Sequence, residues 1–286
     1  MQPSRTDTSS ISFTAHYTGY VWYKQRWSDP AFVTRKGRLL HALLQPLELL
    51  ARAVLGTDIR TTLLTRHALI DRELNKNLAQ GHLQVLELAA GLSPRGWALR
   101  QKIAQLHYVE TDLPAMAQHK ADLLSRLGAN PGFHHVVTCN ILADHGDDSL
   151  ESVLTRHFDT RLPITVISEG LVNYFPRPVI NAFWARLSLA LAHFPSACYL
   201  TDVYTEVHEH RFAGLIRKAN RMLSLLTRST FTLHFKDHEE AQRQFHQAGF
   251  DRVEVYDPNL ELKGTGLPLA RGGAVVRVLR ADQIAG

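Results

Sequence analysis

Residues 84–96 read QVLELAAGLSPRG, and this stretch decides the fold. Its first half is mostly aliphatic and predicts a buried strand that ends around Glu87, whereas Gly91 and Pro94 predict a tight turn and the start of a helix. In an open parallel sheet, ligands bind at the carboxyl ends of the strands, where a residue without a side chain lets a ligand approach the backbone. The stretch therefore predicts a ligand-binding turn, although an ordinary strand-to-helix turn accounts for it equally well.

Downstream of this turn, short aliphatic runs alternate with longer amphipathic ones, which is typical of parallel strands joined by helices. The predicted helices begin near Pro94, Pro114, Asp147 and Pro176, and a later one covers Asp237 to Ala248 and ends at Gly249. The predicted fold is a doubly wound, mostly parallel seven-stranded α/β sheet whose last two strands form an antiparallel pair. The seven predicted strands are Leu83 to Leu88, Leu106 to Thr111, His134 to Cys139, Ile164 to Ser168, Ala197 to Val203, Arg252 to Tyr256 and Gly273 to Leu279.

Two further segments are predicted to cover the sheet domain, which we place at residues 81–286. Residues 1–80 combine an aromatic opening, FTAHYTGYVWYKQRW, with a helical region from about Thr34 to Asn77. Its leucine-rich run, LLHALLQPLELLARAVL, is too short and too charged to span a bilayer, so we expect it to pack on the sheet domain as part of a cap. After the fifth strand, an arginine-rich amphipathic stretch predicts a helical lid at about residues 205–235.

Composition limits the partners that we expect. The net charge of +5 over 286 residues is mild and spread along the chain, so neither a nucleic acid nor a membrane is expected as a partner. Cys139 and Cys198 lie in or beside apolar strands, which predicts reduced core thiols and a cytoplasmic protein. The 16 histidines are scattered, and no metal site is expected. The sequence leaves the oligomeric state open.

Two carboxylates at other strand ends strengthen the prediction of a ligand site. Asp112, in YVETDLP, lies 21 positions after Gly91, where an acid can accept hydrogen bonds from ribose hydroxyls. Glu110 competes for that role, and a helix cap is the alternative for Asp112. Glu169, in ITVISEGLVNYFP, faces the same crevice and can meet an ammonium or sulfonium group; a carboxylate at a helix start is the alternative.

Two cofactors fit these features, S-adenosylmethionine and a nicotinamide dinucleotide. A pyrophosphate needs close approach at several glycines, whereas S-adenosylmethionine has no phosphate and tolerates the single Gly91. The sequence also lacks a Tyr-x-x-x-Lys pattern for hydride transfer. S-adenosylmethionine is therefore the favoured cofactor, with a nicotinamide-dependent oxidoreductase and a non-catalytic S-adenosylmethionine-binding protein as alternatives.

The order of motifs resembles the leucine carboxyl methyltransferase family, including its bacterial polyketide O-methyltransferase relatives. The motifs are HYTGYVWY, TRHALIDREL, VLELAAGLSPRG, YVETDLPAMAQHK, SEGLVNYF and AGFDRVEVY. The resemblance implies the class I methyltransferase fold, bound S-adenosylmethionine, and methyl transfer to a carboxylate or hydroxyl oxygen of a small molecule or peptide terminus.

The resemblance also implies individual roles. Arg66 resembles the arginine that meets the methionine carboxylate, a task suited to a guanidinium, and Glu169 the carboxylate near the methionine amine. Gly91 resembles the glycine under the cofactor, and Asp112 the ribose ligand. Asn140 and Ile141 stand where relatives often carry Asp-Leu beside the adenine. The remaining expected cofactor contacts are Glu87, Ala89, Leu113 and Tyr174.

The catalytic residues stay open at the level of sequence. A carboxylate acceptor is already ionised at pH 7 and needs no general base, whereas a hydroxyl acceptor needs one. His16 stands where many relatives carry a lysine or arginine. Positive charge in the predicted lid, at Arg211, Arg217, Lys218, Arg221 and Arg228, would favour an acidic acceptor. The candidate catalytic side chains are Tyr174, Tyr20, Tyr23, His16 and Tyr204.

Overall fold

The computed structural model describes residues 9–205, 235–271 and 273–284. Within these ranges one seven-stranded sheet has the order β3-β2-β1-β4-β5-β7-β6. β1 to β5 are parallel, and β7 runs antiparallel to both β5 and β6. The predicted sheet, mostly parallel with its last two strands antiparallel to each other, is confirmed. Its strands are β1 (Gln84–Leu88), β2 (His107–Asp112), β3 (His134–Thr138), β4 (Ile164–Ser168), β5 (Ser196–Tyr204), β6 (Arg252–Tyr256) and β7 (Val276–Ile284).

The strand bounds agree closely with the prediction except in β7. The predicted strand began at Gly273 and ended at Leu279, but β7 begins three residues later and continues to Ile284. Nine residues of β7 pair with β5, from Tyr204↔Val276 to Ser196↔Ile284. Backbone pairing on both sides extends the strand through polar residues that no hydrophobic pattern marks.

Helices cover both faces of the sheet and bury it. On one face, Ile70 and Leu74 pack with Val85, Ile167 and Leu200. On the other face, Trp184 and Phe245 are fully buried in a second cluster with Leu86, Val166 and Tyr199. The helices that follow β1 are α4 (Arg95–Arg100), α5 (Pro114–Arg126), α6 (Leu150–His157), α7 (Arg177–Leu191), α8 (His238–Gln247) and α9 (Pro258–Glu261). The helices that precede β1 are α1 (Ser9–Lys24), α2 (Arg35–Leu55) and α3 (Ile59–Ala79).

The N-terminal helices correct one prediction. The aromatic opening is itself helical, as α1, and α3 packs beside β5 and β7. The leucine-rich run, which forms α2, was expected on the sheet domain. It packs on α1 instead, so closely that a Cβ added to Gly37 would collide with the carbonyl oxygen of His16. On the inner side of α2, Leu40 packs in a buried cluster with Tyr17 and Val21 of α1. On its outer side the helix exposes Leu39, Leu43, Leu47, Leu49 and Leu50, because α1 lies between α2 and the sheet.

Two other predictions concern single features of the chain. Cys139 and Cys198 are buried and unbonded, as expected for core thiols. The predicted lid and its five basic residues fall in residues 206–234, outside the described residues. Among the residues that the structure describes, no single helix is long and apolar enough to cross a bilayer, and α2 and α3 reach that threshold only as a pair bent by 84°.

Candidate functional site

The N-terminal helix α1 lies over the carboxyl ends of the central strands. A Cβ added to Gly91, in the turn after β1, would lie 3.1 Å from the Cβ of Ala15 in α1. The hydroxyl of Tyr174, after β4, donates to Thr14 Oγ1 of the same helix at 3.1 Å. Helix α1 therefore touches the turns after both strands and forms one wall at this edge of the sheet.

The turn after β1 is built around Asp112. Ala89 and Gly91 have φ values of +50° and +51°, a region that favours glycine. The Asp112 carboxylate accepts hydrogen bonds from the backbone N–H groups of Gly91 and Leu113, both at 2.8 Å. Burial raises the pKa of Asp112, while the two N–H groups act against that rise. The structure thus brings together three of the predicted cofactor contacts at the ends of β1 and β2.

Glu110, the competitor for the ribose role, has a different task. Its carboxylate is fully buried and forms ion pairs with Lys120 and, at 2.8 Å, with Nε2 of His134. Burial alone would raise the pKa of Glu110, but Lys120 and His134 lower it. A Cβ added to Gly96 would lie 2.6 Å from Glu110 Oε1, so this acid is enclosed beneath α4. Glu110 is a core ion-pair partner, which leaves Asp112 as the acid at the crevice.

Arg66 and Glu169 meet at the ends of β4 and β5. Arg66 Nε donates to Glu169 Oε1, and Arg66 Nη1 donates to Asp202 Oδ2, both at 3.1 Å. Arg66 Nη1 also donates to the Tyr204 hydroxyl at 3.3 Å. Gly170 has a φ of +68°, and a Cβ there would lie 2.6 Å from Nη2 of Arg66, so only glycine leaves room for the guanidinium.

A second buried arginine, Arg95, was not predicted as a site residue. Its guanidinium contacts Glu87, Asp71 at 2.5 Å and Glu169 Oε2 at 2.7 Å, with 1% of the side chain exposed. Its position in the sequence could have indicated this. Arg95 is the first residue of α4, where the helix dipole disfavours a cation unless acids lie nearby.

The same contacts define the surroundings of Glu87, one of the expected cofactor contacts. Its carboxylate, 1% exposed, accepts hydrogen bonds from Arg95 and, at 2.7 Å, from the Tyr108 hydroxyl. Glu87 therefore holds Arg95 in the core, and its contact with a cofactor stays a prediction. A strand-end position is common to Glu87 and Glu169, but only the tertiary packing distinguishes their surroundings.

His67 links the two arginine clusters. Its Nδ1 lies 2.7 Å from Glu169 Oε2, and its Nε2 lies 3.5 Å from Asp71 Oδ2. The ring stacks on Trp27 and lies 4.8 Å from Trp22, centroid to centroid. Although burial opposes ionisation, His67, Arg95 and Arg66 hold the pKa of Glu169 well below its usual range. Glu169 is therefore ionised at every pH at which the protein would work.

The cluster carries more negative than positive charge. The two guanidinium groups of Arg66 and Arg95 face four carboxylates, those of Asp71, Glu87, Glu169 and Asp202. Asp71 is 37% exposed, and the three buried carboxylates alone exceed the two guanidinium groups by one. Burial raises the pKa of Asp202, as expected for an acid with too little positive charge around it. A cationic ligand at this end of the sheet would relieve that imbalance.

The predicted adenine contacts form the loop after β3. Asn140 Oδ1 accepts a hydrogen bond from the backbone N–H of Leu142 at 3.1 Å. The Asn140 backbone N–H donates to the carbonyl oxygen of Asp148, which closes the loop. Ile141 is 8% exposed and belongs to the core cluster under α6 and α7. Ile141 thus offers an apolar surface and Asn140 a polar one at the edge beside Asp112.

The five candidate catalytic side chains separate into groups. Tyr174 and Tyr204 lie at the strand ends with Arg66, and burial raises the pKa of Tyr204 to about 12. Tyr20 and Tyr23 contact each other on α1, with centroids 5.9 Å apart, and Tyr20 also contacts His41 of α2. The Nδ1 atom of His16 lies 3.1 Å from Thr34 Oγ1, and burial followed by the charge of Lys36 lowers the His16 pKa.

Comparisons with known proteins agree with this geometry. A family model described as leucine carboxyl methyltransferase matches residues 31–187. A Mycobacterium avium protein, provisionally named an S-adenosyl-L-methionine-dependent methyltransferase, is 30% identical over 167 residues, which are 57% of this chain and 49% of that protein. Leucine carboxyl methyltransferase 1 of Eremothecium gossypii is 30% identical over 133 residues, 40% of each chain. The chain spans at most about half the length of the curated relatives it matches.

Solved structures show the same fold. A crystal structure from Thermobifida fusca, described provisionally as that of a methyltransferase, superposes with a TM-score of 0.65 at 15% identity and covers 99% of this chain and all of its own. A DUF574 family protein from Streptomyces avermitilis gives a TM-score of 0.62 at 12% identity, covering 94% of this chain and 96% of its own.

Proposed function

Because the chain belongs to the leucine carboxyl methyltransferase family, we propose that it is an S-adenosylmethionine-dependent methyltransferase that methylates a carboxylate or hydroxyl oxygen of a small molecule or peptide terminus. The observation that carries the proposal is the excess of buried carboxylates around Arg66 and Arg95. S-adenosylmethionine has an ammonium and a sulfonium group against a single carboxylate, so its net positive charge complements this cluster.

The residues at the strand ends suit each part of that cofactor. Arg66 would hold the methionine carboxylate, and Glu169, ionised and 3.1 Å from Arg66, would hold the ammonium group. Asp112 would accept hydrogen bonds from the ribose hydroxyls beside Gly91, where the absence of a side chain permits close approach. Asn140 and Ile141 would contact the adenine, whereas Ala89 and Leu113 would contribute backbone at the turn.

When bound, the cofactor supplies an electrophilic methyl group for an in-line displacement. The protein then has to align the acceptor oxygen with that methyl group and keep water away. Helix α1, Tyr174 and Tyr204 stand at this end of the sheet and would form the acceptor side. Tyr204, with a pKa of about 12, keeps its proton at neutral pH and would orient an acceptor by donating a hydrogen bond.

The type of acceptor decides whether a base is needed. A carboxylate, ionised at pH 7, attacks without one. For a hydroxyl acceptor, His16 is the best suited of the five candidates because its lowered pKa keeps the ring neutral at pH 7 and able to accept a proton. We prefer a carboxylate as the acceptor because no side chain at the strand ends then has to act as a general base.

Ligand binding followed by methyl transfer tests the proposal. Calorimetry should show micromolar binding of S-adenosylhomocysteine and none of NAD or NADP. Incubation with methyl-labelled S-adenosylmethionine and cell extract, followed by mass spectrometry, should then give a labelled ester or ether. Binding of NAD without S-adenosylhomocysteine would identify a nicotinamide enzyme instead, and S-adenosylhomocysteine binding without any labelled product would identify a non-catalytic binding protein.

A further inference from the structure

The outer face of α2 exposes a continuous apolar stripe. The fractional exposures are 61% for Leu39, 63% for Leu43, 60% for Leu47, 61% for Leu50 and 45% for Val54. These positions are spaced four, four, three and four residues apart, which places them on one side of the helix. Leu49, 62% exposed, widens the stripe, and Ala42, Pro46 and Ala53 are exposed between its members.

The polar residues of α2 do not interrupt this stripe. Glu48, the single acid of the helix, is 8% exposed and accepts a hydrogen bond from the Tyr17 hydroxyl on the inner side. Other exposed leucines of the described chain, such as Leu189 and Leu260, are not part of a comparable row. Single exposed leucines need no explanation, but contiguous apolar patches of several hundred Å² mark interaction surfaces.

We propose that this stripe, Leu39 to Val54 of α2, is the interface of a homodimer in which α2 packs antiparallel against α2 of a second copy. The six large side chains expose on the order of 500 Å² per chain, and the three small residues add to it. Two such faces would bury about 1,000 Å² in total, which is the lower limit of a specific interface, whereas a standard interface buries roughly 1,600 Å². In a two-fold symmetric dimer the same patch of each subunit contacts its copy, and an apolar leucine stripe can pack against an identical stripe.

Charge determines the direction of the pairing. Three exposed basic residues, Arg35, Lys36 and Arg38, lie in the first turn of α2. A parallel pair would bring the two basic ends together. An antiparallel pair instead sets each basic end beside the C-terminal end of the other α2, where the helix dipole is negative and the charge of Arg52 is paired with Asp58 at 3.6 Å. The spacing of four and three residues is also the repeat that lets two helices pack along a seam.

Sedimentation velocity with two leucine substitutions tests the interface. The wild-type chain should sediment at twice its 32.2 kDa at micromolar concentration, and the double variant Leu43→Glu/Leu47→Glu should sediment as a folded monomer. The matched control Leu189→Glu replaces a leucine of α7 that is 71% exposed and should stay dimeric. The milder double variant Leu43→Gln/Leu47→Gln should raise the Kd of the dimer at least tenfold and keep the circular dichroism spectrum of the wild type.

Cysteine cross-linking tests the direction. Leu47 lies near the middle of the stripe, so Leu47→Cys should form a disulfide with its own copy on mild oxidation. Leu39→Cys alone should not, but Leu39→Cys/Val54→Cys should cross-link because these positions face each other in an antiparallel pair. Cross-linking of Leu39→Cys with itself would overturn the antiparallel arrangement.

Three other results would overturn the proposal as a whole. These are a monomeric wild type, a dimer that survives both double variants, and loss of the folded spectrum in the glutamine pair, which would mean that the face is packed within its own chain. A monomer that binds vesicles of phosphatidylcholine and phosphatidylserine would assign the stripe to a membrane surface instead. Because none of these measurements uses cofactor or activity, the outcome is independent of the proposed methyl transfer.

Discussion

Arg66 and Glu169 are 103 positions apart in the chain, and in the fold Nε of the arginine donates to Oε1 of the glutamate across 3.1 Å. The side chains that we propose for the carboxylate and the ammonium group of one amino acid are therefore neighbours. Because both are at least 93% buried, their contact fixes the position at which such a zwitterion would bind.

Replacing Glu169 with glutamine should lower S-adenosylhomocysteine affinity by ten- to a hundredfold, since a charge-assisted hydrogen bond contributes about 1.5–3 kcal/mol. The variant should also be less stable, because Arg66, His67 and Arg95 each lose a charged partner. Calorimetry and urea unfolding measure the two effects. Glu239→Gln, in an exposed ion pair with Arg243, should change neither; unchanged affinity in Glu169→Gln would contradict the assigned role.

Gly170→Ala should weaken cofactor binding because its Cβ would lie 2.6 Å from Nη2 of Arg66. Gly128→Ala is the matched control, since Gly128 also has a positive φ, +76°, but nothing lies within 4 Å of an added Cβ. Both variants should lose about 1–2 kcal/mol from the backbone conformation. Only Gly170→Ala should lose more than that and bind S-adenosylhomocysteine less tightly. Equal behaviour of the two in urea unfolding and calorimetry would show that Arg66 does not depend on this space.

Glu110 and Asp112, two positions apart, should respond oppositely to loss of charge. Glu110→Gln removes the partner of buried Lys120 and should cost about 3–5 kcal/mol in the free energy of unfolding. Asp112→Asn keeps one oxygen for the Gly91 N–H and loses the acceptor of the Leu113 N–H, so it should cost only about 1–2 kcal/mol in stability but bind S-adenosylhomocysteine at least tenfold more weakly. Urea unfolding and calorimetry on both variants separate the roles, and a stable Glu110→Gln with poor binding would reverse them.

Acid should destabilise the protein through three histidines at the opposite end of the sheet. The ring of His135 lies 5.2 Å from that of His107 and 5.7 Å from that of His157, centroid to centroid. Burial lowers the pKa of each, and neighbouring positive charge adds to the effect. Their unfolded pKa is about 6.5. The unfolded chain therefore binds protons more readily, so stability is full above that pH and is lost as the pH falls through the folded pKa.

His135→Gln should therefore make the drop in urea midpoint between pH 7 and pH 5.5 smaller. His145→Gln, at an exposed position of the loop after β3, should leave the drop unchanged. A steeper dependence in His135→Gln would mean that the ring is stabilised by protonation.

Much of the fold could be predicted because strands of a parallel sheet are buried on both faces and appear as short aliphatic runs. Six strands were placed within one residue at each end, β4 and the antiparallel edge strand β6 without error. The end of β7 was missed because its pairing partners, not its side chains, extend it. Gly249 was found as a helix stop, with a φ of +105°, because only the backbone conformation after a helix requires glycine there.

The candidate site divides in the same way. Gly91, Asp112 and Glu169 were predicted to lie together from motif and spacing, since strand-end positions in an open sheet converge whatever the packing around them, whereas Arg66 was predicted from the family resemblance alone. Arg95 and its ion pairs with Glu87 and Glu169 were not predicted, because the partners of a buried charge come from distant parts of the chain.

By itself, the sequence determined the order of strands and helices, the strand ends that carry acids, and the turn at Gly91, because each depends on local periodicity and backbone conformation. Only the tertiary structure decided which acids form ion pairs with buried arginines and which face of α2 stays exposed among the described residues. The physical reason is that both depend on which side chains share a space, and residues far apart in the chain compete for that space only once the sheet has formed.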